Sequence, residues 1–333
     1  MIAQIDNDYW SYGLARTTRR FASYLLYEGR PLTTKGRFIN PIVFSWLHVL
    51  ATLRGNPLVD RPVFVTGLGR SGTTILGILL SLHRKVGYLN EPKALWHVID
   101  PRQDINSNYS LSGGRFRLDA SDVTVDIALR AHRLFSRYLM LTGAERVVDK
   151  YPELIFRVGY VREIFPDARF IFITRNGADA VPSVVKWSER LGVKSGQHTD
   201  DWWGRNDIKW HYMCDQLILN NTAFKSVWPL ASGDLDHANR AALEWIVTMS
   251  EGLKQERRFP DAVVRLSYET LLSDPVGELE RLQQQCNLVP DAAVVDYAKK
   301  RLYDNPAKGW PMLHPAVDAL FRETMIQLGY AVP

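Results

Sequence analysis

The chain has 333 residues, 46% of them hydrophobic, enough to bury a large core and to fold as one elaborated domain. Lysine and arginine number 41 against 36 aspartates and glutamates, a formal charge of +5 that suits anionic ligands, but there is no basic tail of the kind that grips nucleic acid. With only Cys214 and Cys286 a disulfide framework is excluded, and no histidine pair stands at zinc-like spacing with cysteine or carboxylate, so no metal site is expected.

The N-terminus, MIAQIDNDYW, carries acidic residues where a secretory signal carries basic ones, which reads as a cytoplasmic protein. Residues 9–30 place Arg16, Arg19 and Arg20 at spacings of an amphipathic helix. Two readings compete for it: a helix packed on the domain, or one lying on a membrane surface beside a lipid-linked substrate. The apolar run FINPIVFSWLHVLATL (38–53) is short of the roughly 20 residues a bilayer span needs and is interrupted by Asn40, Pro41, Ser45 and His48. Residues 1–60 therefore read as a helical extension, and 61–333 as the main domain.

From residue 61 strands and helices alternate: PVFVTG, a helix over 72–83, an extended piece at 86–88 and a helix starting near Pro92. RVVDK (146–150) reads as a buried strand, 152–165 as a helix, ARFIFIT (168–174) as a strand and 177–191 as a helix. The stretches 99–118 and 194–207 are polar and glycine-bearing and read as surface loops. Helices are expected over 208–230 and 236–258, a strand over 262–268 and a helix over 274–287. This alternation predicts a three-layer α/β/α fold with a central parallel sheet, ligands gathering at the C-terminal strand ends.

One strand end carries the chemistry. Residues 67–74 read G-L-G-R-S-G-T-T, the spacing of the nucleotide-binding loop G-x-x-x-x-G-K-[ST] with Thr73 in place of lysine. Gly69, Ser71, Gly72, Thr73 and Thr74 let backbone N–H groups crowd an anion at a helix N-terminus, and Arg70 adds a fixed charge from inside the loop. An ATPase would also need its lysine and an aspartate ending a neighbouring strand to hold magnesium, whereas here the strand at 168–174 runs into Arg175. A sulfuryl group carries less charge than a phosphoryl group, so its transfer needs neither.

Together, GLGRSGTTIL and FITRNGADAVPSVVKW resemble the PAPS-dependent sulfotransferase family, closest in pattern to glycan, tyrosylprotein and bacterial members. The resemblance covers about residues 61–330. It implies transfer of a sulfuryl group from 3′-phosphoadenosine 5′-phosphosulfate (PAPS) to an acceptor hydroxyl, with PAP as product and no metal. On this likeness the first motif holds the 5′-phosphosulfate, while Arg175 and Ser183 hold the 3′-phosphate. Glu91, 21 residues beyond Arg70, would be the general base, with His97 in reserve; Lys150, with Arg70, would stabilise the leaving phosphate; Tyr268 would contact adenosine. The stretch NPAKGWP (305–311) resembles a loop covering the cofactor, with Lys308 and Trp310 as contacts.

Trp202, Trp203, Trp210 and Tyr212 suit either a core or a platform for sugar rings or apolar acceptors. With the amphipathic N-terminus they favour a glycan, glycolipid or lipid-like alcohol as acceptor. Two other readings stay open: a phosphoryl transferase with a degenerate loop, which would require ATP and magnesium, and a non-catalytic anion-binding scaffold.

Overall fold

The structure is a computed structural model describing residues 3–31, 33–55, 58–195, 198–219, 221–303 and 308–333. Its strands are β1 (Val63–Gly67), β2 (Val86–Asn90), β3 (Arg146–Lys150), β4 (Arg169–Thr174), the short antiparallel ribbon β5 (Val193–Ser195), β6 (His198–Asp201) and β7 (Gly204–Arg205), and β8 (Val263–Ser267). The main sheet is wholly parallel in the order β2-β3-β1-β4-β8. β1 leads out to β2 at one edge, and the chain returns through β3 and crosses β1 to β4 on the other side, so a ligand is expected in the crevice beyond the C-terminal end of β1.

Alternation along the strands divides two cores. Phe64 of β1 and Phe170 and Phe172 of β4 face one, while Val63, Val65, Ile171 and Ile173 face the other. Because both faces are covered, β1 is buried at every residue, apolar from Val63 to Val65, with the buried Thr66 hydroxyl donating to the Ile171 carbonyl.

Helices α1 (Asn7–Trp10), α2 (Leu14–Leu26) and α3 (Asn40–Thr52) precede the sheet. Next come α4 (Thr73–Ser81), α5 (Lys93–Ile99), α6 (Val125–Thr142), α7 (Val158–Ile164) and α8 (Gly177–Leu191). Then α9 (Ile208–Met213), α10 (Trp228–Ala231) and α11 (His237–Arg258) lead to β8. Finally α12 (Tyr268–Ser273), α13 (Pro275–Gln285), α14 (Ala292–Arg301) and α15 (Pro315–Gln327) close the chain. The N-terminal segment contributes to both cores: Ile5 and Tyr9 join the one behind β1, and Val43, Leu47 and Leu50 join the other.

The basic face of α2 turns inward. Arg19 donates to the carbonyls of Arg84, Val86, Thr142 and Gly143, Arg16 to that of Leu82, and Arg20 forms a buried ion pair with Glu28 at 2.5 Å. Guanidinium groups here satisfy carbonyls left open where α4 and α6 end.

Three local expectations change. Residues 152–165 are a 3₁₀ segment, Pro152–Arg157, followed by α7. Buried Arg157, donating to the Phe116 and Arg115 carbonyls and to Gln103, ties that turn to the 99–118 loop. The expected helix over 208–230 breaks into α9, a π-turn, a 3₁₀ turn and α10, with Pro229 at the start of the last. The polar stretch 194–207 holds the ribbon β5-β6-β7. Among the described residues, no helix is long and apolar enough to cross a membrane.

Candidate active site

The turn after β1 has the backbone shape expected of an anion-binding loop. Arg70 is left-handed at φ 72° and Gly72 at φ 92°, so the loop folds back before α4 begins at Thr73. Two aromatic rings close on it. A Cβ on Gly69 would meet the Trp202 ring at 2.6 Å, and one on Gly72 would collide with the Tyr268 ring. Only glycine admits both approaches. Ser71 is fully buried, and its hydroxyl has no partner among the described residues.

Arg175, just past β4, reaches the same loop. Its guanidinium donates to the Arg70 carbonyl at 2.8 Å and lies 4.6 Å over the Tyr268 ring, while its buried Nε lacks a partner among the described residues. The Arg70 guanidinium donates to the Ser183 hydroxyl at 3.3 Å. Asn176 caps α8 through the N–H of Ala178, which keeps the helix start, and with it Ser183, next to the loop. Lys308 is anchored to the first turn of α8 by its N–H on the Asp179 carboxylate at 2.8 Å. Residues 305–307 of the expected covering loop lie outside the described residues. Tyr268 is the first residue of α12, past β8, with Ser267 as its cap.

Cations crowd this side of the loop. Desolvation, then Arg175 and Lys186, push the Lys308 ammonium down, and desolvation, then Arg190 and Arg175, do the same to Arg70. Like charges without an anion between them oppose each other's ionisation, and a bound polyanion relieves that repulsion.

Across the loop, β2 and β3 end side by side. Lys150, its side chain 2% exposed, donates to the Glu91 carboxylate at 2.5 Å, with Lys93 at 3.6 Å from the other oxygen. Glu91 sits in the left-handed region at φ 47°, a strain of about 1–2 kcal/mol for a non-glycine residue, held by its N–H on the Lys150 carbonyl at 2.7 Å. Burial by itself would raise the Glu91 carboxyl, but the Lys150 and Lys93 ammonium groups hold it well below the usual carboxylate range. Asp149, fully buried, accepts from the Trp96 indole at 2.7 Å; burial pushes its carboxyl up to about 8. It therefore makes no salt bridge with Lys150 among the described residues, leaving that ammonium to Glu91.

These ends open on a cavity of about 310 Å³ whose lining includes Gly69, Arg70, Thr73, Thr74, Glu91 and Lys150. Trp202, packed on Gly69, also lines it, edge-on to Trp187 at 5.3 Å and donating to Glu244 at 2.5 Å. Trp203 and Trp210 are buried and do not line it, and Tyr212 braces the 99–118 loop by accepting from Gly113. Of the aromatic cluster, then, one tryptophan faces the site. His97 stands apart, its ring against Phe44 and Tyr109 and outside the lining, with desolvation lowering its pKa.

Sequence reasoning missed Lys93, Lys209 and Glu244. Lys209 and Glu244 form a buried ion pair at 2.5 Å under Trp202, the ammonium 4.7 Å from that ring. Lys93, two residues from Glu91, could have been picked out by proximity; the Lys209–Glu244 pair joins helices with no local signal linking them. Among the described residues no group of three histidine, cysteine, aspartate or glutamate side chains could hold a metal.

A profile described as the sulfotransferase family matches residues 62–224, which contain both GLGRSGTTIL and FITRNGADAVPSVVKW. Among curated proteins, an uncharacterized protein of Aquifex aeolicus is 25% identical over 267 residues, 74% of this chain and 28% of that protein. Protein-tyrosine sulfotransferase 1 of Danio rerio is 28% identical over 156 residues, 43% of this chain and 42% of that protein. The matches thus span less than half the length of these relatives. A crystal structure of a Mycobacterium avium sulfotransferase superposes with a TM-score of 0.49 at 14% identity, covering 96% of this chain and 86% of that one.

Proposed function

From the match of the sulfotransferase-family profile to residues 62–224, we propose that this chain is a sulfotransferase that moves a sulfuryl group from PAPS to the hydroxyl of a glycan, glycolipid or lipid-like alcohol by in-line displacement. The observation carrying this reading is the convergence of Arg70, Arg175, Ser183 and Lys308 on one side of the β1 loop with Lys150 and Glu91 on the other.

The residues present fit a doubly phosphorylated nucleotide. The unpartnered Ser71 hydroxyl and Arg175 Nε, the glycine cradle and the crowded cations all ask for an anion. Gly69 to Thr74 would hold the 5′ end; Arg175, Ser183 and Lys308 would hold the 3′-phosphate, with Tyr268 beside the adenosine. Bound there, the donor supplies a sulfuryl group on a phosphate leaving group.

Glu91 takes the acceptor proton as the acceptor oxygen bonds to sulfur, and Lys150 with Arg70 meets the charge left on the departing phosphate oxygen. One ammonium serves both ends because it has three donors and spends one on Glu91. As negative charge grows on the leaving oxygen, it draws Lys150 from the carboxylate, and Glu91 becomes more basic when a base is needed. Trp202, Trp187 and Phe116 give the acceptor flat apolar faces, and Asn106 and Asn108 give it amides.

Calorimetry tests the reading. Adenosine 3′,5′-bisphosphate should bind without metal and more tightly than ATP with magnesium, and Arg175→Ala should abolish that preference. Tighter binding of magnesium–ATP would instead assign a phosphoryl transferase. An acceptor panel in which only small phenols or amines are sulfated would overturn the acceptor class.

A further inference from the structure

Helix α3 has an unexplained outer face. No charged residue lies between Arg37 and Arg54. Val43, Leu47, Leu50 and Ala51 bury one side in the core. On the other, Ile42 is 71% and Val49 54% exposed, with exposed Ser45 and His48 between them; Phe38, 84% exposed in the 3₁₀ turn before the helix, and Leu53, 41% exposed at its C-cap, continue the stripe at helical spacing. Beyond its C-terminus, Leu58 is 84% exposed. Cations stand at both ends: Lys35 and Arg37 before the helix, Arg54 after it, none in an ion pair among the described residues. Arg137 of α6 donates to the Arg54 carbonyl at 2.9 Å, adding a cation there beside exposed Met140.

We propose that this face rests on an anionic phospholipid surface, α3 lying in the plane of the interface. A face free of lysine, arginine, aspartate and glutamate, apolar at Phe38, Ile42, Val49 and Leu53, between basic ends matches an interface of acyl chains and anionic headgroups. A second copy of the chain fits poorly: both ends of the stripe are basic, so two copies paired in either direction set cations against cations. The patch adjoins the site, for Arg30, Pro31, Thr33 and Thr34 line the cavity and Lys35 follows directly. A membrane under α3 therefore brings the mouth to acceptors anchored in it, which narrows the acceptor to a hydroxyl on a lipid. That narrowing rests on the sulfotransferase reading; the lipid contact does not.

The full chain is sedimented with vesicles of phosphatidylcholine alone or with about one third phosphatidylglycerol. Binding is expected to the anionic vesicles, to weaken with salt, and to fall at least ten-fold in Ile42→Glu/Val49→Glu. Arg37→Gln and Arg54→Gln should each weaken it about five-fold. Calorimetric affinity for adenosine 3′,5′-bisphosphate should stay unchanged in all of them, reporting an intact fold. Transfer to a glycosyl lipid should drop in Ile42→Glu/Val49→Glu when the lipid is in anionic vesicles and not when it is in detergent micelles. The inference is overturned if the wild type ignores anionic vesicles, if the double variant binds them equally, if both acceptor formats lose rate alike, or if light scattering finds a dimer that the double variant dissolves. Vesicle binding without nucleotide binding would sink the transferase reading and leave the lipid contact standing.

Discussion

Replacing Glu91 by glutamine changes little in shape and removes one negative charge. The amide oxygen still accepts from Lys150, but that ammonium, 2% exposed, loses its ion-pair partner at 2.5 Å. Because a hydrogen bond survives and Glu91 is one third exposed, the stability loss should be about 1–3 kcal/mol, below that of an abandoned buried charge. Loss of a general base should lower turnover by about 10²–10⁴. The assay pairs single-turnover transfer from radiolabelled donor with calorimetry of adenosine 3′,5′-bisphosphate, whose affinity should hold because Glu91 lies opposite the cation cluster. In the wild type the lysines keep Glu91 ionised in the free enzyme, so kcat/KM should show no acid limb from this group at about pH 4–5. Unchanged turnover would place proton removal elsewhere, and nucleotide affinity falling in step with the rate would make Glu91 a structural group.

Asp149→Asn should stabilise the protein increasingly as pH rises. With the folded carboxyl at about 8 and the unfolded one near 4, the folded state keeps a proton the unfolded chain has lost. That contribution is full below the unfolded value and gone above about 8, so the variant's advantage in unfolding free energy should grow across this window, by at most on the order of 5 kcal/mol; a flat difference from pH 5 to 8.5 in denaturant titration refutes it. Gly69→Ala should weaken adenosine 3′,5′-bisphosphate binding, since the new methyl meets Trp202 at 2.6 Å, and Trp202→Ala should restore part of the loss in the double variant. Failure of that rescue would mean the loop itself, not the ring, excludes a side chain. Arg19→Lys should lower stability by about 2 kcal/mol in denaturant titration, because an ammonium lacks the fork that spans four carbonyls. No change would show those contacts to be idle.

The parallel α/β layout and the two strand-end turns, after β1 and after β4, were legible because they depend on local signals: apolar runs for buried strands, and glycine and arginine at fixed offsets. Thr124 and Gly143 mark the ends of α6 by the same rules, although the reading above does not assign it. Local rules failed where distant packing decides. Arg157 reaching into the 99–118 loop helps hold 152–157 in a tighter turn, and Trp202 faces the cavity while Trp203 next to it is buried.

By itself, the sequence determined that a glycine-bearing turn lies between strand and helix, because glycine spacing and a helix start are properties of adjacent residues. Tertiary structure alone decided which charges meet. Lys150 comes to Glu91 through the parallel register of β3 beside β2, and the Arg19 guanidinium is turned inward by carbonyls more than sixty residues away. Coulomb and hydrogen-bond energies depend on distance in space, and the chain order does not carry that distance.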